Sequence, residues 1–145
     1  MPKLILLRHA HAEPLQHDDE SRPLAELGRK ECGQVAQQLA ADLAGLDQAV
    51  VSPALRTVQT WQLVSQAADC KVQSRIDPRI YDASAGELLA IVNELESSNV
   101  ALVGHNQLQI FKPGSSAVLE SDLPWSDWEP GCAQLVRIST PGDPD

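Results

Sequence analysis

The stretch LILLRHA at residues 4–10 decides the fold expected of this chain. Its four leading apolar residues are typical of a strand buried on both faces, as in a parallel sheet that helices cover. Arg8 and His9 follow directly and should emerge where the strand ends. Ligand sites of open α/β sheets collect at the carboxyl ends of the strands. A guanidinium beside an imidazole at such an end predicts a site for an anionic group.

Two later stretches place the same kinds of side chain after apolar runs. Residues 52–56 read SPALR and follow the run AVV, and residues 104–106 read GHN and follow the run VALV. They contribute Arg56 and His105. Three strand ends therefore offer two arginines and two histidines for one site.

The remaining pattern alternates strands with helices, which favours an α/β three-layer sandwich with a mainly parallel central sheet and helices on both faces. Ser52 is expected to cap the second helix, with Pro53 and Arg56 in its first turn. No long helix is predicted after Asn106, where mixed or antiparallel strands would form an edge of the sheet. The predicted strands are 4–7, 48–51, 100–103, 116–119 and 134–138, with a short strand or extended piece at 71–73, and the predicted helices are 24–43, 52–68 and 85–96.

The length of 145 residues fits one domain over residues 1–145, with residues 141–145 as a frayed tail. No apolar run approaches the roughly 18 residues that span a bilayer, and residues 1–10 lack the features of a signal peptide. The three cysteines have neither disulfide nor metal-ligand spacing. We therefore expect a cytoplasmic protein with reduced thiols and no membrane partner.

The formal net charge of −9 and the lack of a basic run argue against binding to nucleic acid. The same charge would slow the approach of free phosphate esters. A cationic anion site in this chain must therefore be local. The sequence does not predict an oligomeric state.

The side chains gathered at the strand ends permit phosphoryl transfer. A neutral imidazole such as His9 can attack phosphorus when one ring nitrogen carries the lone pair and an acceptor holds the other. Arg8 and Arg56 would bind phosphoryl oxygens and disfavour protonation of that imidazole. His105 could donate a hydrogen bond to the transition state.

Metal chemistry is the alternative that these histidines raise. His9 and His11 form a His-x-His pair whose side chains would share one face of a strand, as in some metal sites. The barrel that usually presents such a pair does not fit this length, and Arg8 would repel a dication. We expect neither a metal nor another cofactor, with His11 and His17 as loop residues.

Three motifs together resemble the histidine phosphatase superfamily, and especially its short SixA-type phosphohistidine phosphatase branch: LRHA at 7–10, SPALRTVQT at 52–60 and VGHN at 103–106. The RPL at 22–24, followed by Gly28, also resembles that branch. The resemblance implies a phosphohistidine intermediate on His9 and phosphate binding by Arg8, Arg56 and His105, with an auxiliary contact from Arg22. The chain departs from the family in a short segment after His105, with Gln107 where proline is common.

The resulting prediction is a metal-independent phosphatase that acts on protein phosphohistidine or another small phosphorylated substrate. Asp82 and Glu87 are the candidate proton donors, and a phosphoramidate needs such a donor less than an ester does. One alternative is a phosphate- or phosphoprotein-binding module that has lost turnover through the shortened segment after His105. A phosphoglycerate mutase-like reaction is a weaker alternative, since it requires an enclosing lid and a placed acid.

Overall fold

The computed structural model of the protein describes residues 2–15, 17–105 and 112–142. In this part of the chain, six strands form one sheet in the order β3-β2-β4-β1-β5-β6. β1 to β4 run parallel, whereas β5 and β6 pair antiparallel at one end of the sheet. The strands are β1 (Lys3–Arg8), β2 (Gln48–Val51), β3 (Ser74–Ile76), β4 (Asn99–Gly104), β5 (Ser116–Glu120) and β6 (Gln134–Ser139).

Helices cover both faces of this sheet, which confirms the predicted α/β class. They are α1 (Glu26–Gln38), α2 (Ala40–Ala44), α3 (Leu55–Ala67) and α4 (Ala85–Asn93). Alternate side chains of β1 enter opposite layers: Ile5 packs with the buried residues of α1 and α3, and Leu4 with those of α4. The central strands are buried on both faces, as expected of parallel strands between two helical layers.

The predicted helix over 24–43 begins later than expected and is interrupted. Leu24 forms an isolated bridge with Ala12, so the helical backbone starts only at Glu26. At Leu39 the backbone leaves helical geometry, with φ −104° and ψ 7°. The short α2 that follows brings Asp42 to Lys3 and Arg137, contacts between distant parts of the chain that local sequence does not reveal.

Two other predicted boundaries were wrong. The third strand lies at 74–76 rather than 71–73, because it pairs in register with β2 and leaves all three of its residues exposed. Val72, in the middle of the predicted segment, is partly buried and packs against the core. The helix predicted to reach residue 96 ends at Asn93, whose side-chain amide donates to the carbonyls of Trp125 and Trp128 at 2.7 and 3.0 Å.

The late part of the chain follows the prediction of strands without a long helix where it is described. Trp125 and Trp128 are buried, with ring centroids 4.7 Å apart, and contribute to the core beneath α4. The shortened segment after His105, residues 106–111, lies outside the described residues. Across the described ranges, none of the helices is long and apolar enough to cross a bilayer.

Candidate active site

The register of the parallel strands brings three polar residues to one edge of the sheet. Arg8 pairs with Gly104, and Val51 with Val103, so β1, β2 and β4 end level with one another. The backbone N–H of His9 donates to the Gly104 carbonyl at 3.1 Å, and that of Ser52 to the Val103 carbonyl at 3.1 Å. His9, Ser52 and His105 therefore follow three neighbouring strand ends, as the sequence predicts.

His9 is held as a neutral imidazole with a defined tautomer. Its Nδ1 lies 2.7 Å from the Ala10 carbonyl oxygen, which can only accept, so Nδ1 carries the hydrogen and Nε2 carries the lone pair. The hydroxyl of Thr60 on α3 accepts from the Ala10 N–H at 3.0 Å and fixes that peptide. Burial, together with the charges of Arg56 and Arg8, lowers the pKa of His9 to about 4. The nucleophile predicted from sequence is thus deprotonated at neutral pH.

His105 lies beside His9, with ring centroids 5.5 Å apart and planes tilted by 58°. Its Nε2 is hydrogen-bonded to the Ser52 hydroxyl at 2.8 Å. Within the described part of the chain its buried Nδ1 has no hydrogen-bond partner. Burial, followed by the Arg56 charge, lowers the pKa of His105 to about 3. When Ser52 donates to Nε2, Nδ1 carries the hydrogen and can donate to a ligand.

The predicted role of Ser52 as a helix cap was wrong. The cap position of α3 is Ala54, and the Ser52 hydroxyl is directed to His105 instead. Pro53 precedes the helix, while Arg56 does lie in its first turn. Serine before proline is a common start signal for a helix, so sequence alone could not separate capping from a contact across the sheet.

Both predicted arginines border the two histidines. Arg56 is almost fully buried, and its charge lowers the pKa values of His9 and His105. Arg8 ends β1, is half-buried, and lowers the same two pKa values, while burial lowers its own. The four residues predicted from the strand ends therefore lie together in one cationic site.

Arg22, the predicted auxiliary phosphate ligand, makes other contacts in this structure. Its Nη1 lies 3.0 Å from Asp19 Oδ1, and its Nε donates to the Glu13 carbonyl at 2.9 Å. It is still near enough to the nucleophile that its charge lowers the pKa of His9. A direct contact from Arg22 to phosphate stays a prediction.

Asp19 and Tyr81 are the residues at this site that sequence reasoning missed. The Asp19 carboxylate accepts hydrogen bonds from Arg56, Arg22 and Tyr81. The Tyr81 hydrogen bond, more than the other contacts, holds the pKa of Asp19 far below its usual range. Tyr81 also places its ring edge against His105, with centroids 5.5 Å apart. Within the acidic run 18–20 nothing in the sequence distinguishes Asp19 from its neighbours.

The candidate proton donors lie just before α4 and in its first turn. Asp82 is exposed. Glu87 completes a capping box with Ser84, in which each side chain bonds the other residue's backbone N–H, and this contact lowers the Glu87 pKa. A role for either carboxyl group as an acid stays a prediction.

His11, the second histidine of the His-x-His pair, contacts Glu31. Its Nδ1 lies 2.8 Å from both carboxylate oxygens of that residue. No group of three or more His, Cys, Asp or Glu side chains in the described ranges is arranged to hold a metal ion.

Comparisons with known proteins identify the family. A model of the histidine phosphatase superfamily (branch 1) matches residues 4–99. The uncharacterized protein Rv1276c of Mycobacterium tuberculosis is 30% identical, over 93% of this chain and 99% of its own length. A phosphohistidine phosphatase SixA homolog of Haemophilus influenzae is 27% identical, over 70% of this chain and 69% of its own.

Solved structures agree with these sequence matches. A candidate phosphohistidine phosphatase SixA from Nakamurella multipartitia superposes with a TM-score of 0.82 at 26% identity. The match covers 98% of this chain and 97% of the other. The chain belongs to the histidine phosphatase superfamily, in its SixA-type branch, and is a phosphatase.

Proposed function

We propose that this phosphatase hydrolyses phosphorylated histidine on proteins, through a phosphohistidine intermediate on His9 and without a metal ion. The tautomer of His9 carries the proposal: Nδ1 donates to the Ala10 carbonyl, which leaves the Nε2 lone pair for attack. A buried, neutral imidazole with a fixed orientation is the arrangement that nucleophilic catalysis needs. The names of the SixA relatives support the substrate class.

The proposed reaction has two steps. In the first, His9 Nε2 forms a bond to phosphorus as the bond from phosphorus to the substrate nitrogen breaks, and the leaving nitrogen takes a proton from solvent. In the second, water attacks the phosphohistidine, and inorganic phosphate leaves as His9 regains its lone pair. Arg8 and Arg56 would neutralise the phosphoryl oxygens, and His105 Nδ1–H would donate to the group in transit. Positioning and charge would supply most of the catalysis.

The substrate class is tested with two peptides of one sequence, phosphorylated either on histidine or on serine. We expect phosphate release in the presence of EDTA, with kcat/KM at least about tenfold higher for the phosphohistidine peptide, because its leaving group needs less help from an acid. A phosphate assay before and after chelation measures both properties. Turnover that requires added metal would contradict the proposal. Tight binding of the peptide without turnover would indicate the binding module instead.

The histidine pair gives the site a distinctive response to pH. The pKa values of His9 and His105 are lowered to about 4 and about 3, so we expect both rings to stay neutral as pH falls through about 6.5, where a free histidine titrates. NMR titration of the ring carbon-bound protons measures this, with His9→Ala and His105→Ala to assign the signals. A signal from either ring that titrates near pH 6.5 would be inconsistent with the buried neutral pair.

The lowered pKa values of His9 and His105 also make the stability of the protein depend on pH. Between pH 6.5 and 4 the unfolded chain binds more protons at these two positions than the folded protein does. The free energy of unfolding should therefore fall as pH decreases through that window. Because protonation of one ring affects protonation of the other, the midpoints of the two titration steps describe the pair of histidines rather than either residue alone.

A further inference from the structure

Asp19 holds the buried Arg56 through two different groups. Its Nη1 donates to the Asp19 carbonyl oxygen at 2.8 Å, and its Nη2 to Asp19 Oδ2 at 3.0 Å. One contact is to the main chain and the other to the side chain, so the guanidinium plane is fixed relative to the Asp19 backbone. Such two-point contacts restrict an arginine more than a single ion pair does.

Asp19 is itself fixed from several directions. Its other carboxylate oxygen accepts from Arg22 Nη1 at 3.0 Å, and the Tyr81 hydroxyl donates to the oxygen that Arg56 contacts. The residue opens a 3-10 turn, Asp19–Ser21, in which the Arg22 N–H returns to the Asp19 carbonyl at 3.2 Å. Tyr81 in turn lies against His105. Asp19 thus connects the loop before α1 with α3 and with the residue that packs against the second histidine.

These contacts use only the terminal nitrogens of Arg56. Its Nε is buried and has no hydrogen-bond partner among the described residues, although a buried N–H without a partner is costly. The charge of the Arg56 guanidinium lowers the pKa values of both His9 and His105. An anion at His9 would give the Nε–H the partner that the protein does not supply.

We propose that Asp19 is a positioning residue, which holds the terminal nitrogens of Arg56 so that its Nε–H serves the phosphoryl group at His9. The proposal rests on the proposed function, because it assumes that the anion binds beside His9. A competing arrangement is that the Asp19 carboxylate mimics the phosphoryl group and is displaced by it. The main-chain contact argues against displacement, since an incoming phosphoryl group could replace the carboxylate but not the Asp19 carbonyl.

The two arrangements predict opposite effects on anion binding. If Asp19 positions Arg56, Asp19→Ala should weaken orthovanadate binding by roughly tenfold to a hundredfold, because the arginine fork loses its orientation. If Asp19 occupies the phosphoryl position, the same substitution should tighten binding. Asp19→Asn keeps the backbone and an oxygen acceptor, so it should recover part of the loss. Calorimetric titration with orthovanadate measures these affinities without turnover.

Asp18→Asn is the matched control, because this exposed neighbour loses the same charge. It should bind orthovanadate within about twofold of the parent, since surface charges contribute little. A double-mutant cycle then tests whether Asp19 acts through Arg56. In an Arg56→Ala background, Asp19→Asn should not change the orthovanadate affinity further. Thermal unfolding shows which variants are folded. If Asp19→Ala does not fold, the orthovanadate affinity of Asp19→Asn is compared with that of the parent protein instead.

Tighter or unchanged orthovanadate binding in folded Asp19 variants would overturn the positioning role. The positioning role would also be overturned if Asp19→Asn weakened orthovanadate binding equally in the Arg56→Ala background. Failure of the proposed function has a different signature: the unmodified protein would not release phosphate from the phosphohistidine peptide, whatever its affinity for orthovanadate.

Discussion

Replacing His9 with alanine is expected to lower kcat/KM for phosphohistidine peptide by at least about a thousandfold, the scale seen when a nucleophile is removed. The Nε2 lone pair that the Ala10 contact leaves available would be gone, and no covalent intermediate could form. Single-turnover assays measure the rate. Mass spectrometry after an alkaline quench, which preserves phosphohistidine, should detect a phosphoryl adduct in the unmodified protein and none in the variant.

His17→Ala is the control for this loss. His17 is an exposed loop histidine, so its removal should leave the rate within about twofold. Orthovanadate binding to His9→Ala should persist, since Arg8, Arg56 and His105 remain. An active His9→Ala variant, or an adduct located on another residue, would exclude His9 as the nucleophile.

Replacing Gly28 with alanine is expected to destabilise the protein strongly. A Cβ at this position would lie 2.1 Å from the His11 carbonyl oxygen and 3.0 Å from the His11 backbone nitrogen. Because backbone cannot rotate away as a side chain can, α1 or the segment after His9 must shift, at a cost of about 3 kcal/mol. That corresponds to a melting temperature lower by roughly 6–12 °C, which scanning calorimetry measures.

Gly33 supplies a matched control in the same helix. A Cβ there meets nothing within 4 Å, so Gly33→Ala should stabilise the protein by about 0.5–1 kcal/mol through the better helix propensity of alanine. The two substitutions are chemically identical, and only their surroundings differ. Equal melting temperatures for the two variants would show that α1 can move away from His11 without cost.

The parts of the site that the sequence revealed are those carried by local signals. Arg8, His9, Arg56 and His105 each stand a fixed distance after an apolar run, and parallel pairing brings such ends together. The mixed edge formed by β5 and β6 was also predictable from short apolar runs without a helix between them. These inferences need the order of residues along the chain and little else.

The parts that the sequence concealed depend on contacts between distant segments. Asp19 differs from Asp18 only because Arg56 and Tyr81 reach it, 37 and 62 residues further along the chain. Ser52 has the sequence context of a helix cap, yet its hydroxyl is hydrogen-bonded to His105, which follows the end of β4. β3 was misplaced because its three residues are exposed and its position follows from pairing with β2.

Under the proposed function, the level ends of β1, β2 and β4 separate the residues that react from the segments that would contact the substrate. His9, Ser52 and His105 leave buried strands whose register cannot slip without turning the core outward. The segments around them, at 12–15, 17–25 and 77–84, are largely loops and short turns. Substitutions in those segments would then change the preferred phosphorylated substrate while His9, Ser52 and His105 kept their places.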